Sequence, residues 1–295
     1  MQYKFIDLFA GIGGFHLALH KLNQKCVFAS ELDKHARNTY ELNFKKKSSY
    51  IFKNKLFNQD ILLQDYSKIP NFDILCAGFP CQPFSQIGKR KGFQESVENR
   101  GNMFFSIVDI IKVKKPKVLI LENVKNLLNH DNGNTFFTIR KIIEEKLKYS
   151  FHYKIIKACD FGLPQLRPRL FMVCFRDEQS LFSKFTFPKP ITLKKSMSDI
   201  FKGKCDREIG FTLRVGGTNS PYNDRRNWDN YSVDGKIVRL NVDQAKEMMG
   251  FPKSFKFQVS STQAMKQLGN SVAVNVVHHL AKNVISHLNY LSNLN

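Results

Sequence analysis

Cys81 stands in the run Cys76-Ala77-Gly78-Phe79-Pro80-Cys81-Gln82-Pro83-Phe84-Ser85, just past an apolar stretch and held between two prolines. A thiol there is suited to nucleophilic attack. Thiolate is the minor form at neutral pH, yet it is intrinsically reactive and its surroundings can raise its share. Glu122 closes the apolar run Val118-Leu119-Ile120-Leu121, where an acid is expensive to bury without a partner. It offers a carboxyl group that can hydrogen-bond or protonate a ring nitrogen. Gln165-Leu166-Arg167-Pro168-Arg169 puts two guanidinium groups ahead of another apolar run, with proline fixing the backbone between them. They are suited to phosphate, a base oxygen or the acids of the site; the competing reading is a pair of surface arginines. Cys26, Cys76 and Cys174 lie in apolar runs and are expected to be buried and inert.

A second group of residues points to a bound small molecule. Ala10-Gly11-Ile12-Gly13-Gly14-Phe15 is a glycine-rich turn between an apolar run and a helical stretch, which lets a ligand approach the backbone. It lacks the GxGxxG spacing of dinucleotide sites, so a nucleoside cofactor without a pyrophosphate fits better than NAD. A purely structural tight turn is the alternative. Glu31 follows the next apolar run about twenty residues on, at the distance where an acid accepts hydrogen bonds from ribose hydroxyls. Asp60 has a similar place, although a lone acid at a strand end is more often a helix cap.

These residues need a frame that brings them together. Short apolar runs at Lys4 to Phe9, Cys26 to Ser30, Phe72 to Ala77, Val118 to Leu121 and Leu170 to Phe175 read as buried strands. Helical spacing fills Phe15 to Leu22, Met103 to Val113 and Thr135 to Leu147. Strand alternating with helix predicts an α/β fold with a doubly wound, mostly parallel sheet, whose strands deliver the chemistry at one carboxyl edge. The pattern stops near Phe185, and Phe187-Pro188-Lys189-Pro190 reads as a linker. After the turn residues Gly269-Asn270, periodicity returns from Ser271 to about Leu291, which predicts a last helix packed back on the first unit.

Composition narrows the partners. Forty-six Lys and Arg against 25 Asp and Glu give a net charge of +21 over 295 residues, which favours a polyanion through long-range attraction and counterion release; a merely lysine-rich, soluble surface is the bland alternative. Hydrophobic residues at 42% are ordinary for a packed domain and exclude wholesale disorder. No stretch reaches the roughly 18 apolar residues of a membrane span, and Asp7 interrupts the first apolar run before it could act as a signal-peptide core. The six cysteines form no CxxC pair, so neither a disulfide framework nor a metal site is expected, and a reducing cytoplasm fits.

In this order the motifs resemble the C5-cytosine-specific DNA methyltransferase family, especially its compact bacterial restriction-modification members. The resemblance rests on Asp7 to Phe15, Gly78 to Ser85, Glu122-Asn123-Val124, Gln165 to Arg169, Gly250-Phe251-Pro252 and Gln267 to Val272, and so covers almost the whole chain. It implies the sheet of S-adenosylmethionine-dependent methyltransferases, residues 1–186 plus 263–295 as the catalytic and cofactor-binding domain, and a smaller, irregular target-recognition domain over 187–262. It implies S-adenosyl-L-methionine as cofactor, with Phe15 against the adenine, Glu31 on the ribose, Asp60 at the adenine amino group, and Asn270 and Ser271 at the methionine end. Phe9, Gly11, Gly13, Gly14 and Pro80 complete that site. Cys81 is then the nucleophile for cytosine carbon 6 and Glu122 the partner of ring nitrogen 3. Arg167 is expected to face the flipped base and Arg169 to support it.

The same resemblance makes double-stranded DNA the partner of a monomer, together with a restriction endonuclease sharing its recognition sequence. Ser85, Lys89 and Arg90 are expected at the DNA near the target. Thr212-Leu213-Arg214-Val215-Gly216-Gly217 resembles a recognition-loop element, so Thr212, Arg214, Gly216, Gly217, Arg225 and Arg226 become candidate DNA contacts, with Asn219, Asp224 and Asn227 as further readers. Most protein–DNA hydrogen bonds go to the backbone, so fewer than half of these are expected on bases. Glu98 to Gly101 lie in a stretch slightly longer than the family pattern. A tRNA-modifying relative would use the same cysteine, but the long Gly- and Arg-containing segment before Gly250 favours duplex DNA. A silent DNA-binding scaffold conflicts with the complete set of Cys81, Glu122 and Arg167.

Overall fold

The computed structural model describes residues 1–80, 103–176, 185–216 and 220–293. Seven strands form one sheet: β1 Lys4–Leu8, β2 Lys25–Ser30, β3 Phe57–Asn58, β4 Ile74–Gly78, β5 Val118–Val124, β6 His152–Ile156 and β7 Arg169–Phe175, in the order β3-β2-β1-β4-β5-β7-β6. The central pairs are parallel, while β7 runs antiparallel to both β5 and β6. The doubly wound, mostly parallel sheet is therefore the observed architecture. The reversal of β7 corrects one detail of how the edge is assembled. Arg169 reaches the carboxyl edge because β7 starts there, opposite Val124 at the end of β5.

Among the described residues the α-helices are α1 Gly14–His20, α2 Lys34–Phe44, α3 Ser49–Lys53, α4 Met103–Lys114, α5 Asn134–Lys141, α6 Met197–Phe201, α7 Val242–Met248, α8 Ser261–Asn270 and α9 Val274–Ser292. Two boundaries differ from the sequence expectation. The predicted helix over Thr135 to Leu147 is α5 followed by a wider turn at Ile142–Lys146. Gly269 and Asn270 form the last turn of α8 instead of a loop, and the final helix starts at Val274. Among the described residues no helix is long and apolar enough to cross a membrane.

Period-two alternation in the strands feeds two cores. Ile6, Leu8, Leu75, Ala77, Leu119 and Leu121 pack with α4 and α5 on one face. Phe5, Cys26, Ile74, Cys76, Val118 and Ile120 pack with α1, α2 and α9 on the other. Each fully buried aliphatic contributes about 1.5–3 kcal/mol. The second core continues without a break into Leu213, Trp228, Tyr231 and Met248 of the expected recognition segment. That segment's own regular structure includes a hairpin, β8 Asn230–Val233 with β9 Lys236–Arg239.

Candidate active site and cofactor cradle

The glycine turn follows directly from β1. Phe9, Gly11 and Gly13 all have positive φ, at 54°, 54° and 84°, so the chain doubles back before α1 begins. At Gly11 a Cβ would meet nothing within 4 Å, whereas at Gly13 it would come 2.3 Å from the Phe44 ring. Gly11 thus leaves room for a ligand, and Gly13 is glycine because α2 packs beneath it. Tyr40 and Phe44 are held there by His16: its Nδ1 is 2.5 Å from Tyr40 Oη, its Nε2 is 2.7 Å from Ser48 Oγ, and its ring stacks on Phe44. Burial pushes the His16 pKa down to about 3, so the ring is neutral.

Glu31 follows β2 and accepts from the backbone N–H groups of Gly11 at 2.7 Å and Asp33 at 2.8 Å. Its carboxylate is therefore fixed beside the open side of the turn, with burial raising its pKa. Arg37 reaches back to the carbonyls of Glu31 (3.1 Å) and Leu32, and Asp33 caps α2 by accepting from Ala36 N at 2.7 Å. The Glu31 N–H donates to the Asn58 carbonyl, which brings β3, and Asp60 after it, alongside. Asp60 does cap a short turn, accepting from Leu62 N at 3.0 Å. The residues present fit a nucleoside cofactor: an open cradle at Gly11, a fixed acid at Glu31 and a second acid two residues past β3.

At the middle of the edge, Gly78 of β4 pairs with Glu122 of β5. A Cβ on Gly78 would sit 3.4 Å from Glu122 Oε2 and 3.8 Å from the Phe15 ring. The aromatic residue of the cofactor cradle and the candidate catalytic acid therefore converge on one point. Arg169 Nε lies 3.1 Å from Glu122 Oε1. Burial raises the Glu122 pKa, while Arg169 and then Arg167 pull it back. Asn123, buried beside it, donates to the Phe79 carbonyl at 2.9 Å and so pins the segment that leads into Pro80, which is itself exposed. Cys81, Ser85, Lys89, Arg90, Gly217 and Asn219 lie outside the described residues, as do Glu98 to Gly101.

The two arginines of the motif have different surroundings. Arg169 is the one on Glu122, whereas Arg167 is buried and turned to main-chain carbonyls: Nη1 donates to Leu213 at 3.2 Å, and Nη2 to Gly269 at 2.8 Å and to Ser271. Its peptide N–H donates to Thr212 Oγ1 at 3.1 Å. Burial, with Arg169 nearby, pushes its pKa down to about 9. Arg167 has a positive φ of 29°, and it remains close enough to Glu122 for the two charges to influence one another. Ser271 is buried and packs against Gly14, where a Cβ would come 2.8 Å from its Oγ; Asn270 is exposed.

In the expected recognition segment, Arg214 and Gly216 are exposed, and the Gly216 carbonyl accepts from Trp228 Nε1 at 2.9 Å. Arg225 lines a concavity of about 360 Å³ with Arg207, Phe211 and Tyr222. Arg226 is engaged by Asp224 at 2.9 Å, so that acid serves the arginine. Asn227 is buried and bonded to the carbonyls of Tyr222 and Asn230; it shapes the turn and is removed from the candidate readers. Sequence reasoning gave no role to Gln165, Asn123, His16 or Trp228. The available signals were Asn123 beside Glu122, Gln165 beside the arginines and the single tryptophan of the chain.

The chain matches the family described as C-5 cytosine-specific DNA methylase over residues 3–213 and 204–286. Among its relatives, Type II methyltransferase M.HhaI of Haemophilus parahaemolyticus is 39% identical over 97% of this chain and 95% of its own length. M.DsaV of Dactylococcopsis salina is 38% identical over 97% of this chain and 87% of its own. In fold, the chain resembles a DNMT2 variant of Spodoptera frugiperda (TM-score 0.71, 19% identity, 96% and 100% of the two chains). It also resembles the Entamoeba histolytica methyltransferase EhMeth (TM-score 0.72, 17% identity, 98% and 99%). With the glycine cradle, Glu31 and the Glu122–Arg169 pair at one sheet edge, and family and relatives matched over nearly its full length, the chain belongs to the C-5 cytosine-specific DNA methylase family.

Proposed function

We propose that this enzyme methylates carbon 5 of a cytosine flipped out of a specific short duplex DNA sequence, as the modification partner of a restriction endonuclease that reads the same sequence. The observation that carries this reading is the convergence of Phe15, Gly78 and Glu122, with Arg169 on the acid. Phe9, Gly11, Gly13, Gly14, Phe15, Glu31, Asp60, Pro80 and Ser271 would hold S-adenosyl-L-methionine, which would supply an electrophilic sulfonium methyl group. Asn270, being exposed, is better placed at the mouth of that site than in its wall.

Carbon 5 of cytosine is a weak nucleophile, so the protein activates it covalently. The Cys81 thiolate adds to carbon 6, and Glu122 delivers a proton to ring nitrogen 3, which makes carbon 5 an enamine carbon. Carbon 5 then takes up the sulfonium methyl group, the carbon–sulfur bonding pair staying with the departing thioether. The carbon-5 proton passes to solvent, the nitrogen-3 proton returns to Glu122 and the thiolate is expelled, leaving 5-methylcytosine and the free enzyme. Arg169 keeps Glu122 oriented and takes over the base-facing role that the sequence gave to Arg167. Extruding the base costs a few kcal/mol. A few bidentate base contacts at about 1–3 kcal/mol each offset this, together with phosphate contacts from Arg214, Arg225 and the basic surface.

Bisulfite sequencing of DNA from cells expressing the chain tests the reading. A protected cytosine in one short sequence is expected, and its absence, or methylation of tRNA alone, would overturn it. Duplex DNA carrying 5-fluorocytosine at the target is expected to trap Cys81 covalently, because fluorine does not leave as a proton does.

A further inference from the structure

Arg167 joins two parts of the molecule that have different tasks. Its guanidinium holds Leu213, at the start of the exposed Arg214–Gly216 stretch, and at the same time Gly269 and Ser271. The latter segment is the wall against Gly14, where a Cβ would come 2.6 Å from Val272 Cγ2. A buried guanidinium bonded to carbonyls demands accurate placement, since every displaced partner leaves a desolvated donor or acceptor behind.

Three further observations show that the junction has little slack. A Cβ on Gly269 would lie 2.8 Å from the Arg214 carbonyl oxygen, so the two backbones touch directly. Gln165, two residues before Arg167, repeats the pattern: its Oε1 accepts from Leu213 N at 3.0 Å and its Nε2 donates to the Met248 carbonyl at 3.2 Å. Arg167 itself sits at positive φ without being glycine, a conformation that persists where surrounding contacts over-determine it.

We propose that Arg167 is the positioning residue through which cofactor and DNA sense one another. The cofactor, by ordering the glycine turn and the Ser271 wall against it, sets Leu213 to Gly216 in their DNA-competent place, and DNA on that segment tightens the cofactor site by the same factor. This rests on the proposed reading that the segment contacts DNA.

The test measures S-adenosyl-L-homocysteine affinity of the full chain by calorimetry, with and without saturating duplex that carries the sequence found by bisulfite mapping. The wild-type chain is expected to bind at least tenfold tighter with duplex present. Arg167→Met is expected to bring that ratio within twofold of one, with Arg167→Lys between. Gly269→Ala, which keeps the guanidinium but forces the backbones apart, is expected to lower the ratio threefold or more and decides the matter if Arg167→Met does not fold. A wild-type ratio near one, or variants that keep the wild-type ratio, would overturn the coupling while leaving the methylation reading intact. A wild-type chain that binds S-adenosyl-L-homocysteine but no duplex overturns both.

Discussion

Glu122 and Arg169 form an ion pair across neighbouring antiparallel strands, Oε1 to Nε at 3.1 Å, with both side chains largely covered. Burial pushes the carboxyl's pKa up, and the guanidinium opposes it. The acid is thereby poised between giving and holding a proton, as proton transfer near neutrality requires.

Replacing Glu122 by Gln removes the transferable proton but keeps the shape. Turnover is expected to fall by about 10²–10⁴-fold, with S-adenosyl-L-homocysteine affinity within a few-fold of wild type. Single-turnover methyl transfer and calorimetry check the two halves.

Arg169→Gln should shift the pH profile in a defined direction. In the proposed mechanism Glu122 acts with its proton on, so activity is expected to decline as pH rises through its raised pKa. Without Arg169 that pKa rises further, and the alkaline limb of the rate profile is expected to move to higher pH. A limb that stays or moves down contradicts the pairing.

Cofactor binding should weaken in acid. Glu31 accepts hydrogen bonds as a carboxylate, yet burial raises its pKa. The affinity for S-adenosyl-L-homocysteine is therefore expected to fall as pH drops through that raised value, and Glu31→Gln to bind weakly with a flat profile. Titrations between pH 5 and 8 distinguish the two.

Asp7 predicts an opposite trend in stability. It is fully buried, its pKa lies well above the ordinary value because of that burial, and its Oδ1 has no partner among the described residues. The folded chain keeps a proton that the unfolded chain releases above about pH 4. Stability should then fall by up to about 1.4 kcal/mol per pH unit until the folded pKa is passed. Asp7→Asn is expected to flatten this dependence in urea melts across pH 5–9.

The two turn glycines should respond differently to a methyl group. Gly13→Ala combines an unfavourable φ with overlap on Phe44 and is expected to cost about 2–5 kcal/mol. Gly11→Ala meets open space and should cost about 1–2 kcal/mol in stability, while losing cofactor affinity. Chemical denaturation and calorimetry separate the effects.

The legible parts of the fold were those with local causes. β1, β2, β4, β5 and β7 are readable as apolar runs because both faces of the sheet are covered. β3 is two residues long, and β6 is an edge strand with Tyr153 and Lys154 exposed, so neither leaves an apolar run. The sense of β7 is decided by pairing with β5 and carries no local mark. Likewise the positions of Glu31, Glu122 and Arg169 at strand ends were readable. The orientation of Arg167 was not, because its carbonyl partners lie 46, 102 and 104 residues away.

The packing of Ser271 and Val272 on Gly14, and of α9 along α1, means that the first helix of the cradle is finished by residues made some 260 positions later. On the ribosome, the nascent chain exposes its glycine turn long before that wall exists. A chain still in synthesis therefore presents its glycine turn, Glu31 and Glu122 before the residues that cover Gly14 have been made.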